Sequence, residues 1–409
     1  MRAKLLAAIT LAALAAFAWV AIPALSLRPY MPGAVDFERG VPPVTRIAAA
    51  AGRHQPARWI SRPVEAPHEF DLVGIAGEMR PVQIRVRDED GWTEWVEQTD
   101  GTPIYVDGAD AVQARARFRP SGEFHFVNVS GTAGGLDDRV LNAARGAINS
   151  AFISVASLPP ANAAATKPPI VSRSAWGADS PTGGCQPRGP AEYGSVNAAV
   201  IHHTVNANTY TPEEAAGIVL GICRFHVNGN GWNDIGYNAL VDRYGVLYEG
   251  RAGGLEYPVV GAQAQGFNTQ TTAIASIGDH TSEAPTPQAV DGIVRYLAWK
   301  LKLSGAVPAS GTTQLTSGGG SLNKYPSGAV VTMPRIIGHL DLGLTECPAL
   351  LEAQLPGIRA AVDGLIGSRA PCAKPCRQCK RSHKRKSCDR CRKCKRKQKM
   401  KRAKLKGIG

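Results

Sequence analysis

The apolar positions of this chain change period along its length. From residue 197 they fall in short unbroken runs, NAAVIHHTV (197–205), YNALVD (237–242), GVLYEG (245–250), TAIASIG (272–278) and RIIGHLD (335–341). Runs of this length, too short for helices and bounded by turn residues, suit strands buried on both faces. Helical spacing lies between them. Thr211 and Pro212 open one helix, with Ile218, Val219, Ile222 and Phe225 inward, and Thr286 and Pro287 open a second that buries Val290, Ile293, Val294, Leu297 and Leu301. A last helix is predicted over about 347–366. Strands with interleaved helices predict an α/β layer structure.

Upstream, from about Ala66 to Thr132, the period drops to two. PVQIRVR places Val82, Ile84 and Val86 on one face, and AVQARARF does the same for Val112, Ala114, Ala116 and Phe118, with DEDG and DGAD as turn signals. Short alternating strands so punctuated predict an antiparallel β-sandwich over 66–153. Trp92 and Trp95, at the start of a strand, suit either a sugar-stacking platform or a cap on the sandwich core. Residues 27–65 and the Ala/Pro-rich 154–169 read as linkers, and the second domain spans 170–368. Gly305–Val331 is polar and glycine-rich, consistent with one wall of a groove or with a flexible loop.

The termini carry the remaining signals. Residues 1–26 join Arg2 and Lys4 to the apolar LLAAITLAALAAFAWVAIPAL, the form of an export signal with Ala24 and Ser26 near a cleavage point, or of an uncleaved anchor. Either places the chain outside the membrane, secreted or at the wall, where disulfides form. The net charge of +14 is unevenly spread: nineteen Lys and Arg against one acid give residues 369–409 a charge of +18 and leave −4 for the rest. Six of the nine cysteines, Cys372, Cys376, Cys379, Cys388, Cys391 and Cys394, lie in this tail, with His383 among them. Zinc sites, three disulfides or a solvated polycation all fit that pattern. Its charge suits anionic wall polymers or lipid headgroups; nucleic acid would bind only without specificity.

Candidate chemistry gathers at RIIGHLDLGLTECP (335–348), where His339 and Cys347 lie eight residues apart after a buried run, while the run AAVIHH ends in His202 and His203. Two imidazoles and a thiolate make three ligands for a catalytic zinc, leaving the fourth position for water. A metallopeptidase HExxH helix is absent from the sequence.

VIHHT (200–204), GWNDIGYN (231–238), YEGR (248–251) and GHLDLGLTECP (338–348) occur in one order over about 170 residues. In this, residues 197–366 resemble the N-acetylmuramoyl-L-alanine amidase and peptidoglycan recognition protein family, most of all its longer actinobacterial, multidomain members. The resemblance implies a mixed central sheet with flanking helices, a groove holding Zn2+, and hydrolysis of the amide between N-acetylmuramic acid and L-alanine in peptidoglycan, with non-catalytic wall binding as the alternative. It implies metal ligands His202, His339 and Cys347, choosing His202 over His203, and catalytic roles for Tyr237, polarising the carbonyl, and Thr345, holding water or the oxyanion. Gly231 and Trp232 match positions that select diaminopimelate-type stems in the family, though Trp232 also suits a core. Family receptors that bind without cutting typically lack the cysteine present here as Cys347. Leu340 departs from the usual GHRD, putting a local ion pair in doubt. Asp341 suits either a carboxylate orienting a ligand histidine or a cap, and His226 and His280 read as structural. Cys185 and Cys223 are candidates for one disulfide in an oxidising compartment.

Overall fold

A computed structural model describes residues 34–47, 58–98, 101–129, 165–367 and, in the tail, 388, 389 and 392. The export-type segment, residues 130–164 and nearly all of the basic tail lie outside the described residues, although Cys388 is disulfide-bonded. Among the described residues no helix is long and apolar enough to cross a membrane.

The N-terminal unit is all-β: β1 (Val35–Gly40), β2 (Val44–Ile47), β3 (Arg58–Ser61), β4 (Val64–Ile75), β5 (Val82–Asp88), β6 (Gly91–Trp92), β7 (Val96–Gln98), β8 (Ile104–Ala116) and β9 (Glu123–Asn128). All nine belong to one continuous sheet, in which β8 pairs with β4, β3 and β5 and so carries the sheet around a single apolar core that includes Phe70, Ile84, Val112, Phe124 and Phe126. The predicted linker over 27–65 is corrected here, because β1 pairs antiparallel with β9 and β2 with β3. β1 and β2 close the two ends of the main strand path, where exposed polar residues such as Glu38, Arg39 and Arg46 blur the alternation.

The second unit is built on a five-stranded mixed sheet of β10 (Ala198–His203), β11 (Ala239–Val241), β12 (Leu247–Glu249), β13 (Thr271–Ser276) and β16 (Ile336–Gly338), ordered β12-β11-β13-β10-β16. β10 lies parallel to both β13 and β16, and all of its side chains are buried, which is why its sequence reads as an unbroken apolar run. Alternation sorts that run: Ala199 and Ile201 face one core with Ile274 and Ile336, while Ala198 and Val200 face another with Ile337. The first of these faces is covered by α2 (Pro287–Ser304) and α3 (Leu355–Gly367). Thr286 caps α2 as predicted, its Oγ1 accepting from Ala289 N at 3.1 Å, and Gly305 closes it in the left-handed region at φ 76°.

Three local expectations change. Helix α1 (Ala215–Arg224) follows a turn opened by Thr211 and Pro212, in which Glu214 Oε2 accepts from Thr211 N at 2.6 Å as in a capping box, and it runs on into a π-helical turn, Phe225–Gly229. The polar 305–331 segment contributes β14 (Thr312–Thr316), which forms a hairpin with β15 (Val330–Pro334). The predicted last helix is interrupted, a 3-10 segment over Ala349–Gln354 preceding α3.

The two units share a core. Leu72, Tyr105, Val127 and Val129 of the β unit pack with Ile218, Ile222, Phe225 and Tyr237 of the other. Two glycines permit the approach: a Cβ on Gly221 would lie 2.3 Å from Leu72 Cδ1, and one on Gly74 would lie 2.6 Å from Phe225 Cζ. At the edge of this contact Arg224 pairs with Asp36 at 2.8 Å, both largely buried.

Candidate metal centre and substrate groove

The side chain of His202 follows from its place on β10. It continues the alternation of Ala198 and Val200, whereas His203 continues that of Ala199 and Ile201. His339 opens a 3-10 turn, His339–Asp341, directly after β16, and Cys347 lies on the following loop. That turn is fixed by Asp341, whose Oδ2 accepts from Gly338 N at 3.2 Å, so Asp341 acts as a cap. Gly343 hugs the imidazole of His339 so closely that a Cβ would lie 2.9 Å from Nε2. Leu340 donates its backbone N–H to Cys347 O at 2.6 Å, so the loop closes here through the main chain.

These elements bring His202, His339 and Cys347 together, with one ligand-type atom from each lying within 4.8 Å of the others. Cys347 Sγ is 3.7 Å from His202 Nδ1, and the two imidazole centroids are 4.5 Å apart. His202 Nε2 is buried and has no hydrogen-bond partner among the described residues. Burial, then the neighbouring His339 and His203, hold the His202 imidazole well below its ordinary pKa and therefore neutral. Two imidazoles and a cysteine sulfur at this spacing fit a tetrahedral zinc with an open position. His203 is occupied otherwise, its Nδ1 accepting from His280 N at 3.1 Å while its ring stacks on that of His280.

A cavity of about 240 Å3 opens over the cluster. Tyr237 lines it, its ring 5.2 Å from that of His202. Trp232 also lines it and packs on His226 at 4.6 Å, while Gly231 sets the preceding turn at φ 72°. Thr345 lies on the loop between His339 and Cys347, where a Cβ on Gly343 would meet both the His339 ring and Thr345 Cγ2. Its Oγ1 accepts from Cys347 N at 3.2 Å, and it lines a separate cavity on the other side of the loop. Thr345 therefore shapes the turn that presents Cys347.

The structure adds residues that no motif announced. Met79 and Thr102 of the β unit line the same cavity, and Thr102 Oγ1 is 3.0 Å from Tyr237 OH in a buried hydrogen bond. Leu322, from the segment between β14 and β15, supplies another part of the wall. The histidines read as structural are so placed: His226 Nδ1 accepts from Gly236 N at 3.2 Å, and His280 contacts Ser276 Oγ at 2.8 Å. Cys185 and Cys223 form a disulfide, tying the segment before β10 to α1. Trp92 and Trp95 lie against arginines: Arg85 sits 4.8 and 4.7 Å from their ring centroids and Arg115 is 4.2 Å from that of Trp95.

A mixed α/β sheet that brings a His-His-Cys cluster under a groove defines a domain able to hold a metal ion at its strand ends. The N-acetylmuramoyl-L-alanine amidase family profile matches residues 192–349. Peptidoglycan-recognition protein SC2 of Drosophila simulans is 32% identical over 182 residues, covering 44% of this chain and 79% of that protein. Peptidoglycan-recognition protein LB of Drosophila melanogaster is 33% identical over 180 residues, covering 44% and 63%. The solved structure of Drosophila PGRP-LB wild-type aligns at 26% identity over 46% of this chain and 92% of its own, with a TM-score of 0.35. The chain belongs to the N-acetylmuramoyl-L-alanine amidase and peptidoglycan-recognition protein family.

Proposed function

We propose that this protein is an exported, zinc-dependent N-acetylmuramoyl-L-alanine amidase that cleaves the amide between N-acetylmuramic acid and L-alanine in peptidoglycan. The observation that carries the reading is the convergence of His202, His339 and Cys347 at the floor of a groove. Zinc held by these three side chains would supply a Lewis acid for the amide carbonyl and lower the pKa of an attacking water. Tyr237, whose hydroxyl lies 3.0 Å from Thr102 Oγ1, would donate to the carbonyl oxygen as negative charge develops on it. Trp232 and Met79 flank the same space and would orient the stem and exclude water. The export-type N-terminus and basic tail would keep the enzyme at the cell wall.

Because the relatives above are named as recognition proteins, a wall binder of the same fold is the competing reading. Release of stem peptide from purified peptidoglycan distinguishes the two. The wild-type protein should release it, Cys347→Ala and a chelated sample should not, and zinc content measured by atomic absorption should fall in the variant. Retention on the wall with no release after zinc addition would leave only the binder.

A further inference from the structure

On the far side of the Cys347 loop lies a second cavity of about 680 Å3, formed where the β unit meets the α/β unit. Its wall carries Arg58, Arg80, Arg115 and Arg117 from the β unit and Lys324 from the β14–β15 segment. Two acids, Glu97 and Glu346, line it as well, so cations outnumber carboxylates.

The way these guanidinium groups are held separates this cluster from ordinary surface ion pairing. Arg58 Nη1 and Arg115 Nε both donate to one neutral acceptor, Gln83 Oε1, at 2.6 and 2.8 Å. Arg85 beside them donates to Gln113 Oε1 at 2.9 and 2.6 Å. Amide oxygens fix the orientation of the guanidinium groups and leave their charge uncancelled. Of the cavity's cations Arg80 alone is ion-paired among the described residues, with Glu78 at 2.7 Å, as Arg87 outside the cavity is with Glu65 and Asp110 at 2.5 and 2.8 Å. Burial first, then the charges of Arg58 and Arg85, opposed by Glu94, set the Arg115 guanidinium below its ordinary pKa. Pre-oriented guanidinium forks suit the paired oxygens of carboxylates and phosphates.

The cavity also adjoins the candidate metal centre. Neighbours in sequence face the two spaces: Met79 lines the first and Arg80 the second, Leu322 the first and Lys324 the second, Cys347 the first and Glu346 the second. A ridge one or two residues thick separates them, and an extended strand seated in one can continue into the other.

We propose that the second cavity is an oxyanion-binding subsite that takes carboxylate or phosphodiester oxygens of the same wall strand whose amide lies at the metal centre. The identity of the strand rests on the amidase-family reading; the anion chemistry rests on the arginines alone. The test is arginine footprinting of the full-length protein with phenylglyoxal, read by mass spectrometry, in the presence of muramidase-solubilised wall fragments. Arg58 and Arg115 should be modified several-fold more slowly with fragments present, while exposed Arg39 and Arg62 keep their rates. Loss of that protection with carboxyl-amidated fragments assigns the subsite to peptide carboxylates, and loss with fragments stripped by hydrofluoric acid assigns it to wall phosphodiesters. Unchanged modification of Arg58 and Arg115 under fragment concentrations that the protein retains or hydrolyses overturns the proposal. Arg58→Gln/Arg115→Gln should raise KM on the polymer and leave kcat on a short muramyl peptide unchanged. Footprinting reads occupancy without turnover, so an inactive protein whose arginines are still protected would sink the amidase reading and leave the subsite standing.

Discussion

The two units of this protein differ in how their residues reach the groove. In the α/β unit the two candidate histidine ligands sit near the end of a buried strand or in the turn after it: His202 is the penultimate residue of β10, and His339 follows β16. In the β unit the contributors are Met79, in the β4–β5 connection, and Thr102, in the β7–β8 connection. The first arrangement is fixed by parallel strands, β10 between β13 and β16, whose side chains are buried. The second depends on a contact between units, since Thr102 meets Tyr237 only because the β sheet packs against α1 and the π-helical turn that follows it. The α/β unit thus holds the candidate chemistry, and the β unit completes the space around it.

The strongest way to break that division is to loosen the contact itself. Phe225 is fully buried and lies against Gly74, so Phe225→Ala should cost about 3–5 kcal/mol in chemical denaturation. Activity should fall as well while zinc content holds, because the ligands lie on other elements. A loss under about 1 kcal/mol would mean that the units touch without stabilising one another.

A smaller effect tests the floor beneath the groove. Burial, with the charge of Arg251 second, lowers the pKa of His226 to about 3. The imidazole is therefore neutral when folded and protonates below about 6.5 when unfolded, so the unfolded state takes up more protons as pH falls. His226 contributes its full stability above about pH 6.5 and loses about 1.4 kcal/mol for each unit below that, down toward pH 3. His226→Leu leaves Gly236 N–H without its acceptor and should be less stable at neutral pH, yet its stability should fall less steeply on acidification. Denaturation midpoints between pH 4 and 7 decide this; parallel slopes would remove His226 as the source.

Legibility in the sequence followed the same division. β10, β13 and β16 were readable because burial on both faces leaves unbroken apolar runs, and α2 because Thr286, Pro287 and Gly305 mark its ends. The gathering of His202, His339 and Cys347 was readable because the linked motifs fix which strand ends converge. β1 and β2 were hidden, since edge strands bury too little to impose alternation, and VDFERG and VTRI read as polar spacer. The hairpin of β14 and β15 was hidden for a similar reason, with most of its side chains exposed or half-buried. Thr102 had no signal at all: it follows a turn glycine as any loop threonine does, and only the packing of one unit on the other gives its hydroxyl a partner. The arginines over Gln83 were equally silent, because alternation in β5 and β8 reports which residues leave the core and not what they meet outside it.

The smallest predicted effect is also the sharpest on the comparison, because it changes one atom group contributed by the β unit. Thr102→Val keeps the shape and removes the hydroxyl, so Tyr237 loses a hydrogen bond of about 0.5–1.5 kcal/mol while His202, His339 and Cys347 are untouched. If Thr102 positions the phenol for the developing oxyanion, the loss appears in kcat, by about 2- to 12-fold, with KM nearly constant. Thr102→Ser restores the hydroxyl without the methyl group and should recover most of the rate. A Thr102→Val protein of lowered stability but normal kcat would reduce the contact to packing, and the β unit would then be a wall of the groove with no hold on its chemistry.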